Sequence, residues 1–135
     1  MAELNAIITD THPLLYYAAG GRKLGARAAA HFQAADEGRS LVYVPMAVVM
    51  EVSFLQRAGR GGLRVPATIF FNALFANPAF QAYDLSLEQV FAAEDLRINR
   101  DPFDALIVAA AQVLGLPLVT RDTEIVASKA VKVIW

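Results

Sequence analysis

The spacing of apolar and polar residues divides the chain into short apolar runs and longer amphipathic segments. A run such as Ala6-Ile7-Ile8, flanked by polar residues, is typical of a buried strand. Between the runs, apolar residues recur at helical spacing, as Leu24, Ala28 and Phe32 do. The pattern predicts five strands, at 4–9, 41–44, 80–85, 118–120 and 131–135.

Turn and capping residues indicate where the helices begin and end. Pro13 suits the first turn of a helix, and Ser86 with Gln89 three residues later forms a capping-box start. Gly38 is typical of a helix end, and the Gly-rich segment 59–62 predicts a flexible connection. These signals predict helices over 14–19, 23–37, 45–58, 66–75, 86–97 and 102–114, with a short turn or helix over 123–128.

Strands that alternate with helices predict an α/β fold, a three-layer sandwich with a central, mainly parallel sheet of about five strands. The chain has no internal repeat or composition break, so we expect one domain over residues 1–135. Such sheets bind ligands outside the carboxyl ends of strands, where the strand order reverses. Asp10 and Asp122 each follow a predicted strand, and they face each other across this crevice if those strands are neighbours.

The composition excludes several kinds of chemistry. The absence of cysteine rules out disulfides, thiolate catalysis and zinc–thiolate sites. A formal net charge of −1 gives no global basic field for nucleic acid, although a local basic patch stays open. We see no signal peptide and no apolar run of the roughly 18 residues that a membrane helix needs. We therefore expect a cytoplasmic protein with no membrane contact.

Four carboxylates are expected to converge at the carboxyl edge of the sheet: Asp10, Glu51, Asp104 and Asp122. Burying several carboxylates together is costly unless a cation neutralises them. Because carboxylate oxygens dominate and the chain has only two histidines, Mg²⁺ or Mn²⁺ is favoured over zinc. Two such ions about 4 Å apart could clamp the attacking and leaving oxygens of a phosphodiester displacement.

Each acid also has a purely structural interpretation. Asp10 could cap the helix that follows it, and Asp122 alone would be an ordinary turn residue. Glu51 has apolar neighbours on both sides, which favours a functional role over a solvated helix position. Asp101 begins an Asp-Pro-x-Asp helix start and is interpreted as the cap, whereas Asp104 in the first turn is interpreted as the ligand.

Two further groups of residues keep two interpretations each. Three arginines lie around the Gly-rich connection: Arg57, Arg60 and Arg64. They could contact a nucleic-acid backbone, or they could simply belong to a solvent-exposed loop. The aromatic segment 70–75 could pack in the core or form a dimer or partner surface.

In order and spacing, four segments resemble PIN domains, and most of all the VapC-type ribonuclease toxins of bacterial and archaeal toxin–antitoxin pairs. The segments are ITDTHPLL around Asp10, MEVSFL around Glu51, DPFDALIVAAA around Asp104 and LPLVTRD ending at Asp122. The resemblance implies a parallel sheet sandwiched by helices. It also implies that these four acids form a site for Mg²⁺ or Mn²⁺ that cleaves RNA.

The same resemblance implies supporting residues and partners. Thr120, of the Thr-x-Asp signature, and Thr11 would support the site through their hydroxyls. Asp101, interpreted above as the helix cap, is expected to be a further supporting residue on that ground alone. A homodimer and a small antitoxin that inserts into the groove are expected. Many relatives carry an arginine where this chain has Ala105. This difference leaves the expected metal ligands intact. It puts in question any contact with substrate or antitoxin that the arginine makes in those relatives.

Two other functions stay open at this point. A regulatory module could keep the PIN fold and bind RNA or a partner without cutting. Retention of all four acids argues against it, because a binding module has no reason to assemble so much negative charge. A phosphatase is disfavoured because Asp10 is followed by Thr11 and His12, not by the second aspartate of an Asp-x-Asp nucleophile motif.

Overall fold

A computed structural model of the chain describes residues 5–135. Among these residues, five strands form one sheet in the order β3-β2-β1-β4-β5, and all of its pairings are parallel. The strands are β1 (Asn5–Thr9), β2 (Ser40–Pro45), β3 (Phe80–Tyr83), β4 (Leu118–Val119) and β5 (Val133–Ile134). The predicted α/β fold with a parallel sheet is therefore confirmed. Leu4, the predicted first residue of β1, lies outside the described residues.

Within the described part of the chain, seven helices connect and flank the strands. They are α1 (Thr11–Ala18), α2 (Ala26–Asp36), α3 (Met46–Arg57), α4 (Ala67–Phe75), α5 (Leu87–Glu94), α6 (Pro102–Leu114) and α7 (Thr123–Ser128). Each was predicted, and α6 and α7 have the predicted bounds. Among residues 5–135, no helix has the length and apolarity that crossing a bilayer requires.

The main differences from prediction lie at element ends. Helix α2 begins at Ala26, not at Lys23, because its first amides bond to the opposite end of the chain. The N–H groups of Arg27 and Ala28 donate to the carbonyl oxygen of Trp135 at 2.9 and 3.1 Å. Such a cap between distant residues leaves no mark in the local sequence pattern.

Helix α5 ends at Glu94, three residues short of the prediction. At its start, the Ser86 hydroxyl accepts the N–H of Gln89 at 3.2 Å, as a capping box requires. The Gln89 amide, however, donates to the carbonyl of Asp84 at 2.7 Å. This bond joins the buried Gln89 side chain to the segment that follows β3. The sequence predicted that the strand continues through residues 84 and 85, but β3 ends at Tyr83 and these residues form a connection.

The core lies between the sheet and the helices that cover it. Ile7 and Ile8 of β1 and the central turn of α6, from Ile107 to Ala111, are buried. In the aromatic segment 70–75, Phe71 and Leu74 are also buried, so the core interpretation holds for these two side chains. The continuous apolar runs are explained by a parallel sheet that is covered on both faces.

The strand order reverses between β1 and β4. Ile8 pairs with Leu118 and Thr9 with Val119, and the N–H of Asp10 continues the pairing by donating to the Val119 carbonyl at 3.0 Å. The strands that precede Asp10 and Asp122 are therefore direct neighbours. At such a reversal, the loops after the two strands diverge to opposite sides and leave a crevice.

Candidate active site

A cleft of about 330 Å³ opens at the carboxyl ends of β1 and β4. Its walls come from the starts of α1, α6 and α7 and from one side of α3. The lining residues are Asp10, His12, Pro13, Tyr16, Glu51, Asp101, Asp104, Thr120, Arg121 and Asp122. All four acids predicted to converge thus line one cleft, together with Asp101. Their role as catalytic residues and metal ligands stays a prediction.

Asp10 is the most enclosed acid of the cleft, with 6% of its surface exposed. One carboxylate oxygen, Oδ1, accepts the backbone N–H of Thr11 at 2.8 Å. The other, Oδ2, accepts the hydroxyl of Thr120 at 2.7 Å. The Thr120 hydroxyl in turn accepts the N–H of Asp122 at 3.1 Å. Thr120 therefore links the acid after β1 to the acid after β4.

Glu51 reaches the cleft from the second turn of α3 and is half-buried. Its Oε1 accepts the hydroxyl of Thr11 at 2.5 Å. Thr11, which is fully buried, thus contacts Asp10 through its backbone and Glu51 through its side chain. The two threonines predicted to support the site both hold a carboxylate in place.

Asp101 and Asp104 differ in what they contact. The Asp101 carboxylate accepts the N–H of Phe103 at 2.9 Å, so Asp101 is the N-cap of α6. Asp104 sits half-buried in the first turn, and its Oδ2 accepts the side-chain amide of Asn99 at 2.7 Å. Asn99 also accepts the N–H of Asp101 at 2.9 Å. Sequence reasoning missed Asn99, because no motif marks an isolated asparagine before a helix start.

Asp122 caps α7, so its structural role is larger than that of a simple turn residue. Its Oδ1 accepts the N–H groups of Glu124 and Ile125, each at 2.9 Å. These bonds use one carboxylate oxygen and orient the carboxylate at the edge of the cleft. Capping and ligation are compatible here, since they use different oxygens of the same group.

Burial is the main cause of the raised pKa values of three acids in the cleft. It raises the pKa of Asp10, against the opposing effect of the Thr120 and Thr11 hydrogen bonds. Burial also raises the pKa of Glu51, with smaller increases from the charges of Asp101 and Asp10.

Asp104 has a strongly raised pKa. Burial raises its pKa to about 7, and the charges of Asp10, Asp101 and Asp122 contribute in the same direction. The Asn99 hydrogen bond opposes this increase. The acids therefore destabilise one another's charged forms, as carboxylates that share a cleft must.

The donor set suits a hard divalent cation with free coordination positions. Within residues 5–135, no three or more histidine, aspartate or glutamate side chains are arranged to hold one ion together. Mg²⁺ typically takes one or two protein carboxylates and completes its shell with water and phosphate oxygens. Carboxylates around this cleft could meet that need for Mg²⁺ or Mn²⁺, whereas a closed structural site would need more ligands at one point.

One side of the cleft is cationic. Arg121 donates from Nη2 to the hydroxyl of Tyr16 at 2.9 Å, and its guanidinium lies 5.1 Å from the Tyr16 ring centre and 5.5 Å from that of Trp135. Ala105, where many relatives carry arginine, brings only a methyl group to α6. Among the described residues, Arg121 is the one lysine or arginine that lines the cleft. Sequence reasoning also missed Tyr16 and Arg121.

The sequence matches one family model, that of the PIN domain, over residues 7–130. The matched range includes all of the acids that line the cleft, from Asp10 to Asp122. No curated protein matches the sequence at a significant level.

Several solved structures have the same fold over nearly the whole chain. A toxin–antitoxin complex from Klebsiella pneumoniae is similar at 20% identity over 96% of each chain, with a TM-score of 0.61. VapBC2 from Rickettsia felis, bound to a DNA fragment from its promoter, is similar at 13% identity over 96% of this chain and 98% of that one, with a TM-score of 0.71. DNA-bound VapBC from Salmonella typhimurium is similar at 14% identity over 98% of each chain, with a TM-score of 0.67. At these identities the likeness establishes the fold.

Proposed function

This chain belongs to the PIN domain family, and we propose that it is an endoribonuclease that hydrolyses RNA phosphodiester bonds with the help of Mg²⁺ or Mn²⁺. The observation that carries the proposal is the presence of Asp10, Glu51, Asp104 and Asp122 around one cleft at the strand-order reversal. Carboxylates concentrated there favour a divalent cation, and the cation favours a phosphate substrate.

In the proposed mechanism, Asp10 and Asp104 would hold the principal ion, Asp122 would complete the site, and Glu51 would ligate the ion or orient a water molecule. A bound divalent ion would supply Lewis acidity, which activates water and stabilises negative charge on a phosphate. Thr11 and Thr120 hold the Asp10 carboxylate in one orientation through hydrogen bonds to its two oxygens. No side chain has to act as a covalent nucleophile.

We also infer that residues 1–135 form one PIN domain that acts in the cytoplasm as the toxin of a toxin–antitoxin pair. The toxin–antitoxin complexes among the similar structures support a small antitoxin as partner. Exposed apolar side chains support a further protein contact, most simply a homodimer. On α3 and α5 these include Met50, Phe54, Leu87 and Phe91, which are 47–71% exposed.

The test is cleavage of RNA by the purified chain with Mg²⁺ or Mn²⁺. We expect Asp10→Asn to lower the rate by about a hundredfold or more, since it removes a charged ligand and keeps the shape of the side chain. The matched control is Asp84→Asn, which neutralises an exposed aspartate outside the cleft. Unchanged cleavage by Asp10→Asn, or by the unmodified chain in excess EDTA, would contradict the mechanism.

The second candidate is a PIN-fold module that binds RNA or a protein without cutting it. It is favoured by one observation, that the described residues hold no ready arrangement of three acidic or histidine ligands. This candidate predicts no change in melting temperature with Mg²⁺ or Mn²⁺ and no turnover of several unrelated RNAs. The nuclease predicts a rise in melting temperature with metal, because the ion relieves repulsion among the acids.

A further inference from the structure

A second cavity, of about 490 Å³, lies beside the acidic cleft and shares His12 and Tyr16 with it. It runs between α1 and the Gly-rich connection 59–62. Three cations, Arg22, Lys23 and Arg60, line this cavity, and we term it the basic groove.

The charge of the basic groove is opposite to that of the cleft next to it. All three cations are exposed to solvent, and none of the described residues that line the groove is acidic. The whole chain has a formal net charge of −1, so the groove is a local concentration of positive charge. Cations gathered on one surface are the usual electrostatic feature of a site for a polyanion.

Tyr16 joins the two cavities. Lys23 Nζ lies 5.6 Å from the centre of its ring, and the Arg121 guanidinium lies 5.1 Å from the same centre. The Tyr16 hydroxyl accepts a hydrogen bond from Arg121, as described above. Cations from the cleft and from the groove therefore contact one aromatic ring, and positive charge continues from beside Asp122 into the groove.

The interior of the groove is apolar. Leu15 is buried and Leu55 half-buried, and both line it. Gly61 lies next to both leucines and has a left-handed backbone, with φ +91°. A Cβ at that position would lie 3.5 Å from the Leu55 Cβ and 3.6 Å from the Leu15 Cδ1. These distances are ordinary contacts, so the positive φ is what disfavours a side chain there.

We propose that the basic groove binds the single-stranded RNA that adjoins the scissile phosphate. Arg22, Lys23 and Arg60 contact its phosphates, and the half-buried side chain of Leu55 contacts a base. Cations combined with a partly exposed apolar side chain fit a single strand, which exposes both phosphates and bases, whereas a duplex keeps its bases stacked inside. The volume is within the range of pockets that hold groups of this size.

This inference rests on the proposed function, because it takes the acidic cleft as the place of the scissile phosphate. An RNA strand with one phosphate in that cleft has to continue into a neighbouring cavity, and the groove opens directly from it through His12 and Tyr16. An acidic peptide would also complement the three cations. RNA is favoured because it accounts for both the charge of the groove and its connection to the cleft.

The experiment measures binding of a fluorescein-labelled, mixed-sequence single-stranded oligoribonucleotide to the full chain in excess EDTA, by fluorescence anisotropy. The test variant carries Arg22→Ala, Lys23→Ala and Arg60→Ala. The matched control carries Arg39→Ala, Arg97→Ala and Lys132→Ala, which remove three exposed cations outside both cavities and change the net charge equally.

We expect the test variant to bind about tenfold more weakly than the unmodified chain, and the control to bind within about twofold of it. Losing three phosphate contacts should also make the slope of log K against log salt concentration shallower by about 2 in the test variant. All six substituted side chains are exposed, so the melting temperatures of both variants should stay within about 2 °C of the original.

Equal RNA binding by the test and control variants would overturn the inference. So would an acidic peptide, poly-glutamate, that binds the unmodified chain and loses affinity in the test variant while RNA binding is unaffected. Because binding is measured without cleavage, the two proposals can fail separately. An unmodified chain that cleaves no RNA but binds it through the groove refutes only the nuclease. Cleavage with unchanged KM and unchanged binding in the test variant refutes only the groove.

Discussion

Asp104 gives the sharpest prediction about the acidic cleft. Its pKa rises from 3.8 in the unfolded chain to about 7 in the fold, chiefly through burial and then through the charges of neighbouring acids. A carboxyl whose pKa is higher in the fold opposes folding once it ionises. This cost is absent below about pH 4, grows between pH 4 and 7, and is complete above pH 7.

The magnitude follows from the size of the shift and from the exposure of the group. If fully realised, the difference between the two pKa values corresponds to about 4 kcal/mol of unfolding free energy. Asp104 is only half-buried, so screening by solvent reduces the expected cost to about 1–2 kcal/mol. Asp104→Asn removes the charge and keeps an oxygen that can accept the Asn99 hydrogen bond. The substitution should therefore stabilise the metal-free protein above pH 7 by this amount.

The assay is thermal unfolding in excess EDTA between pH 4.5 and 8, followed by circular dichroism. We expect Asp104→Asn to raise the melting temperature at pH 8 by roughly 3–8 °C and to have little effect near pH 4.5. Asp84→Asn, at an exposed position, is the control. Added Mg²⁺ should stabilise the original chain more than the variant. A lower melting temperature for Asp104→Asn at pH 8, or an equal rise at both ends of the pH range, would refute the reasoning.

Three further predictions concern the rest of the site and the fold. Thr120→Val leaves a buried oxygen of Asp10 without its hydrogen-bond donor. It should therefore lower the unfolding free energy by about 1–3 kcal/mol in urea titrations and impair RNA cleavage. Thr120→Ser keeps the hydroxyl and should retain both the stability and the cleavage. The apparent Mg²⁺ affinity, measured by calorimetry, should increase with pH up to about pH 7 and then level off, because Asp104 must lose its proton to bind metal. A constant affinity from pH 5.5 to 8 would contradict this prediction. Gly25→Ala places a Cβ 2.5 Å from the Trp135 ring, so it should lower the unfolding free energy by about 1–3 kcal/mol in the same urea titrations. An unchanged midpoint would show that Trp135 can move away from the added Cβ without loss of stability.

Local signals were sufficient for most of the elements. Helix α6 has its predicted bounds because its cap, Asp101, its first residue, Pro102, and its C-terminal Gly115 with φ +68° all lie within or beside the helix itself. Where the ends differ, the cause is distant in sequence. The start of α2 depends on the carbonyl of Trp135, and no window around residue 26 contains that information.

The candidate site divides in the same way. The sequence determined which acids follow strands or begin helices, because caps, turns and apolar periodicity are properties of neighbouring residues. That Asp10 and Asp122 meet was decided by the pairing of β1 with β4, which places Thr120 against an aspartate 110 residues away. The same pairing created the crevice that Tyr16 and Arg121 help to enclose. Strand order and side-chain contacts between distant segments depend on how the whole chain packs, and for that reason only the tertiary structure could decide them.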